Sequence, residues 1–216
     1  MKADKIEAWW FSSGKKLPYG DGRIIKIGRT HKVKGNIELC KNGLHASRKL
    51  LDALGHAGGS VIWRVELSGK IKKDTDKLCA SSRLYLEGGI DISDCLRKFA
   101  RMCALDVIHL WDAPKVVVDF LKTGDEKLRA ASRAASKDSA SWAASCDTSR
   151  AASWAASWNA SRAASCAASW NASRDSVSWD AMQKKHNRRL TSMIKKILKK
   201  EESCQGGMGN KRSKDR

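Results

Sequence analysis

Residues 60–69 read SVIWRVELSG, and this stretch decides the fold class of the first half of the chain. Val61, Trp63 and Val65 recur with the two-residue period of a strand that buries one face. The run ends at Gly69, a residue type that favours turns. The stretch therefore predicts a β-strand with one apolar face.

Short apolar runs between glycines surround this strand. Twelve glycines occur in the first ninety residues, and between them IIKIG at residues 24–28 and KVKGNIEL at residues 32–39 are further strand candidates. The segment SRKLLDALGHA at residues 47–57 predicts a helix that Ser47 caps and Gly55 ends. The first ninety residues thus predict a small sheet with tight turns and one helix.

A helical period replaces the strand period from Ile92 onward. Apolar residues then share one stripe that should pack on the sheet: Ile92, Cys95, Leu96, Phe99, Met102, Cys103, Val107 and Leu110. Asp112 is the expected cap of a following helix with Pro114 in its first turn. Thr123 and Glu126 have the spacing of a capping box for the next helix. The fold class predicted is α+β.

The rest of the chain predicts a helical appendage. Between Gly124 and Gly206 the chain contains neither glycine nor proline, and alanine is the best helix former. The domains expected are an α+β domain with a small twisted sheet at 1–122, an Ala/Ser-rich helical repeat at 123–180, a basic amphipathic helix at 181–200 and a disordered tail at 201–216.

Three tandem twelve-residue copies at 142–177 form the core of the repeat. A helix turns about 100° per residue, so successive copies are rotated by about 120° and no single face carries the large side chains. Self-association or helix packing is therefore the first interpretation, through a right-handed supercoil, packed shorter helices or surrounding copies. The residues expected to mediate this assembly are Trp142, Trp154, Trp158, Trp170 and Trp179.

Stacking on nucleic acid is the second interpretation of the repeat. Trp158 with Arg162 and Trp170 with Arg174 are i,i+4 neighbours on a helix. The repeat is only weakly basic, however, so the basic helix that follows is the better candidate for contact with polyanions. It carries eight basic residues and no acid: Lys184, Lys185, Arg188, Arg189, Lys195, Lys196, Lys199 and Lys200. Such a helix binds nucleic acid, lies on an anionic membrane or keeps a packed helix soluble.

Charge and cysteine content narrow the classes of protein. Lys and Arg number 42 against 23 Asp and Glu, a net charge of +19, which points to polyanionic partners. Seven scattered cysteines without a C-x-x-C predict free thiols, and no histidine pattern predicts a metal site. No stretch suits a signal peptide or a membrane span. We therefore expect a cytoplasmic protein with no cofactor and no integral membrane association.

A series of motifs resembles an uncharacterised family of phage and prophage proteins. The motifs are LPYGDGR, CKNGLHAS, RVELSG, HLWDAP and TGDEKLRAA. That family pairs a small domain of unknown function with an alanine-rich Trp/Arg repeat. The resemblance implies location in the cytoplasm of the host cell.

A weaker resemblance concerns ADP-ribosyltransferases. The order GLHAS, a helix containing DAL, and a strand ending RVELSG is similar to part of that fold. It implies a nucleotide site at Gly43, His45 and Ser47, with His45 in place of an aromatic residue that stacks on nicotinamide. Glu66 and Glu87 are the nominal candidates for a catalytic glutamate.

The sequence thus predicts a non-enzymatic accessory protein of phage type, a homo-oligomer that binds nucleic acid through its basic C-terminal surface. The first alternative is an ADP-ribosyltransferase-like protein that binds or sequesters NAD or a related nucleotide. The second is a purely structural oligomer.

Overall fold

The computed structural model describes residues 5–106, 108–110, 112–138 and 176–209. These residues form a mixed α+β structure with an antiparallel sheet and helices. The strands are β1 (Ile6–Ser12), β2 (Thr30–Lys32), β3 (Leu44–Ala46), β4 (Val61–Lys73) and β5 (Leu78–Asp91). The helices are α1 (Leu50–Gly55), α2 (Ser93–Asp106), α3 (Lys115–Thr123), α4 (Glu126–Asp138) and α5 (Ser176–Gly209), with a 3₁₀ turn at Ile108–Leu110.

A long hairpin of β4 and β5 forms the centre of the sheet. Strand β1 pairs with the free edge of β4, and the short strands β2 and β3 both pair with β5. The strand predicted around Trp63 is confirmed. The two glycine-flanked runs at 24–28 and 32–39 do not form the predicted strands. Ile24 and Ile27 are exposed, and the strand of this region is Thr30–Lys32, which shares only Lys32 with the second run.

One face of the sheet is covered by helices. Trp9 and Phe11 of β1 and Ile62 of β4 pack against α1 and α2, as the helical stripe predicts. Helix α5 completes this layer with three buried side chains, Leu190, Ile194 and Leu198. The basic helix is therefore part of the core of the α+β domain, and its apolar stripe is what holds it there.

The opposite face of the sheet is covered by the loop between β1 and β2. Leu17 and Ile25 of this loop pack on Trp63, Val65 and Tyr85 of the central hairpin. Backbone hydrogen bonds fix its end, because Gly28 N–H donates to Tyr85 O. We call residues 13–29 the covering loop.

Helices α1 and α3 do not begin with the capping residues that the sequence predicted. Ser47 does not cap α1, because its backbone exchanges two hydrogen bonds with Trp9 in the sheet and the helix begins at Leu50. Pro114 occupies the N-cap position of α3 without a side-chain cap hydrogen bond, so Asp112 does not cap this helix.

The predicted capping box before α4 is also wrong. Thr123 ends α3, where its hydroxyl donates to the carbonyl of Asp119. Asp125 instead accepts the Lys127 N–H at the start of α4. Asp125 directly precedes α4, so its carboxylate can reach the free amides of the first turn and takes the capping role.

The predicted appendage is only partly described. Helices α4 and α5 are its described parts, and most of the three tandem copies lies outside the described residues. Helix α5 spans the predicted basic segment 181–200 and continues to Gly209, into the predicted disordered tail. Within the described ranges, no helix has the length and apolar character needed to cross a membrane.

Candidate functional site

The outer face of α5 is strongly basic. Of its eight basic side chains, all but Arg189 are exposed. Arg188, Lys195 and Lys199 lie within about 40° of one another around the helix axis, and on the side opposite Leu190, because each residue turns the helix by about 100°. An open groove along this face has Arg188, Lys195, Lys196 and Lys199 in its lining.

Two of the eight basic residues, Arg189 and Lys185, bind a carboxylate of α2. Arg189 binds the carboxylate of Asp106, at the end of α2, through both terminal nitrogens at 2.6 and 3.1 Å. Lys185 Nζ lies 3.1 Å from the same carboxylate. Burial favours the neutral form of Asp106, but Arg189 and Lys185 outweigh it and lower the pKa of that carboxyl. The contacts of Asp106 with Arg189 and Lys185 therefore hold α5 against α2.

His186 lies at the same junction and is fully buried. Its ring meets that of Phe99 edge to face, with centroids 6.1 Å apart. Burial lowers the pKa of His186, and the nearby Asp106 carboxylate only partly opposes this. The histidine is therefore a neutral part of the helix interface.

The residues of the predicted nucleotide site have different surroundings. Ser47 is buried and paired with Trp9 in the sheet. Gly43 has φ 148°, and a Cβ on it would overlap Cys79 Sγ. The imidazole of His45 is half-buried, and its Nε2 accepts the Cys40 N–H at 3.1 Å. Burial lowers the pKa of His45, and the Lys77 charge lowers it further.

Cys40 is the exposed thiol of this region. Lys77 Nζ lies 3.2 Å from its sulfur, and this contact raises the pKa of Lys77. Cys79, in contrast, is buried, and burial raises its pKa. A thiol next to an ammonium group is a suitable nucleophile for small electrophiles.

A buried polar cluster lies on the sheet face beneath the covering loop. Arg83 of β5 is 2 % exposed and stacks on the Trp10 ring, with its central carbon 3.8 Å from the centroid. Its Nε and Nη2 donate to Tyr85 Oη at 3.1 and 2.9 Å, and its Nη1 donates to His45 O at 2.8 Å. Burial lowers the pKa of Arg83, and the Tyr85 hydroxyl partly offsets this.

His31 completes this cluster from β2. Its Nδ1 lies 3.1 Å from Tyr85 Oη, and its ring meets the Tyr85 ring edge to face. Burial lowers the pKa of His31, the charges of Arg23 and Arg83 lower it further, and the Ile24 carbonyl opposes this to a smaller extent. We call Trp10, His31, Arg83 and Tyr85 the buried cluster.

Sequence reasoning missed the buried cluster because it missed β5. The strand reads LCASSRLYLEGGID, and its serines and arginine interrupt the apolar alternation. The signal was present in Leu84 and Leu86, which alternate with Arg83 and Tyr85. When an arginine lies on the same face of a strand as a tyrosine, its guanidinium needs a hydrogen-bond partner on that face.

The other candidate residues lie at the sheet surface, on α5 or outside the described residues. Glu66 pairs with Lys5, and Glu87 pairs with Arg64, both at the sheet surface. Within the described ranges, no group of three or more His, Cys, Asp or Glu is placed to hold a metal ion. The assembly residues Trp142, Trp154, Trp158 and Trp170 lie outside the described residues, and Trp179 is placed on α5 only by its backbone.

Comparison with known families gives one finding for this region. Residues 19–98 match the family model described as a domain of unknown function, DUF7666. This match spans β2 to β5 and the first residues of α2, and includes His31, Arg83 and Tyr85. Neither the curated proteins nor the solved structures contain a match to the chain.

Proposed function

We propose that this protein is a non-enzymatic accessory protein that binds nucleic acid through the outer face of α5. One observation carries the proposal. The helix buries Leu190, Ile194 and Leu198 in the domain core. On its opposite side it turns a row of three exposed basic side chains toward solvent, Arg188, Lys195 and Lys199. The partner of such a row is a polyanion, and the spacing suits a phosphate backbone.

The geometry supports contacts with phosphates rather than with bases. Arg188 and Lys199 are eleven residues apart, so they lie about 16 Å apart along the axis. The apolar side of α5 is packed on α1 and α2. Only its basic side is therefore exposed to a binding partner. Lysines and arginines on such a surface neutralise phosphates without reading sequence.

Docking of α5 makes this surface rigid. Asp106 fixes Arg189 and Lys185, and the other six basic side chains of α5 extend from a helix whose position is set by the core. Binding then orders only side chains, which lowers the entropy cost of association.

Self-association through the repeat at 142–177 is the second part of the proposal. It rests on the sequence pattern of tryptophans that wind around a helix. Several copies would present several basic helices to one nucleic acid, and linked sites bind far more tightly than single ones. The sequence resemblance to phage proteins suggests that the nucleic acid is encountered in a host cell.

The test compares two triple variants of equal charge change in the full chain. Arg188→Gln/Lys195→Gln/Lys199→Gln removes the row on α5. The matched control, Lys70→Gln/Lys72→Gln/Lys73→Gln, removes three exposed charges from the tip of the β4–β5 hairpin. Affinity for a labelled duplex is measured by fluorescence anisotropy between low and physiological salt.

We expect the α5 variant to lower affinity and to reduce the log–log salt slope by about 3, since each lost phosphate contact removes roughly 0.9. The hairpin variant keeps most of the wild-type slope. Equal losses in the two variants would show that only net charge matters. Absence of binding by the wild-type protein at low salt would end the proposal.

A further inference from the structure

The buried cluster contains a positive charge without a negative partner. Arg83 is 2 % exposed, and it pairs with no carboxylate among the residues that the structure describes. The nearby Asp21 is bound to Arg23 at 2.6 Å through the guanidinium Nε. Burying an unpaired ion is costly, so buried charges are as a rule paired or bound to an ion.

The hydrogen bonds of the cluster leave donors unused. A guanidinium has five N–H groups, and three of those of Arg83 donate to Tyr85 Oη and His45 O. Two remain. Arg83 Nε and Nη2 both donate to Tyr85 Oη and so occupy its two acceptor positions. The contact between Tyr85 Oη and His31 Nδ1 is then a hydrogen bond only if the hydroxyl donates its own proton to Nδ1.

That assignment fixes the tautomer of His31. If Nδ1 accepts from Tyr85, the neutral imidazole carries its proton on Nε2. His31 is 4 % exposed, and no acceptor in the described part of the chain meets hydrogen-bond geometry at Nε2. The Ile24 carbonyl is near enough to the ring to favour its protonation, but it does not complete a hydrogen bond there. The cluster therefore offers three unused N–H donors and one uncompensated positive charge.

We infer that Arg83 and His31 form a binding site for a phosphate group, held in place by Tyr85. A phosphate supplies both missing elements, a negative charge and several acceptor oxygens. The guanidinium fork matches the oxygen spacing of a phosphate, and the His31 N–H adds a third donor. This site is independent of α5, which lies on the other face of the sheet.

The covering loop controls access to the site. Its buried side chains are Leu17 and Ile25, and Arg23 ties it to β2 by donating to Lys32 O at 2.9 Å. Lifting this loop uncovers the buried cluster without separating the central hairpin. The phosphate is bound beneath the loop, which then closes over it.

Thermal unfolding of the full chain tests this inference. Inorganic phosphate, AMP and adenosine are added as probes at constant ionic strength and pH, and the midpoint of unfolding is measured at each concentration. A ligand that binds only the folded state raises the midpoint in a saturable way. Inorganic phosphate tests the phosphate site alone, and AMP against adenosine tests whether the phosphate of a nucleotide is the bound group.

Two variants and one control decide the outcome. Arg83→Met removes the charge and is expected to abolish the saturable shift. His31→Phe keeps an aromatic ring of similar shape and removes the donor, so we expect about tenfold weaker binding of the same probe. The control is Arg64→Met, because Arg64 is a strand arginine that is already paired with Glu7 and Glu87.

A saturable shift in the wild type and the control, lost or weakened in His31→Phe, supports the site even if Arg83→Met fails to fold. Tighter binding of AMP than of phosphate identifies a nucleotide, and equal binding identifies free phosphate. A shift that does not saturate, or that is the same in His31→Phe, would overturn the inference. Binding of DNA by α5 is unaffected by either result.

Discussion

Replacing Ile194 with alanine tests whether α5 belongs to the domain core. Ile194 is fully buried in the cluster that joins α5 to α1, α2 and β1. The change removes three carbons, worth about 0.8 kcal/mol each in transfer, or about 2.4 kcal/mol in all. A cavity term adds to this, so we expect a loss of about 3 kcal/mol in the free energy of unfolding, within the usual range of about 2–5.

The assay is urea unfolding followed by circular dichroism, with two companion variants. Leu54→Ala, on α1 in the same cluster, should cost a similar amount, because Leu54 is 1 % exposed. Lys195→Ala changes an exposed neighbour and should stay within about 0.5 kcal/mol of the wild type. If Ile194→Ala were as mild as Lys195→Ala while Leu54→Ala destabilised the protein, α5 would not be docked on the domain.

Three further predictions follow from contacts at the helix junction and the β3–β5 pair. Asp106→Asn should destabilise the protein by about 1–3 kcal/mol at neutral pH by breaking the Arg189 pair. Because folding lowers the pKa of Asp106, this deficit is full above the ordinary aspartate pKa and is lost as the pH falls from there through the lowered pKa of the folded state, which unfolding curves against pH will show. Gly43→Ala should lower the melting temperature by several degrees, since its Cβ would overlap Cys79 Sγ at a left-handed φ of 148°; an unchanged melting temperature contradicts this. Iodoacetamide should label Cys40 well before Cys79 in the native protein, as peptide mass spectrometry can show, and comparable rates would contradict the burial of Cys79.

The sequence predicted those strands and helices whose own residues show a clear hydrophobic period. The strand at Trp63 and the helices from Ser93 and Lys115 have clear periods, and the structure confirms them. Strand β5 has a weaker period and was not predicted, because its inward side chains include Arg83, which is stabilised by the distant His45 carbonyl.

The candidate site also has a part that local sequence predicts and a part that depends on distant contacts. The basic row of α5 follows from composition and helical spacing alone. Its docking on α1 and α2 depends on long-range contacts such as the bond from Leu51 N–H to Asn187 Oδ1, 136 residues away. The buried cluster joins Trp10, His31 and Arg83 from three different strands, so only pairing of the sheet brings them together.

The position of α5 in the core has a consequence for synthesis on the ribosome. Leu50, Leu54 and Phe99 leave the ribosome long before Ile194, which covers the same cluster. During that interval, the helical side of the sheet lacks its last layer, while residues 142–177 are made in full. Domains generally fold as units during translation, but this one cannot be completed until its final helix emerges. Residues 142–177 are therefore translated before α5 can complete the core that Leu50, Leu54 and Phe99 begin.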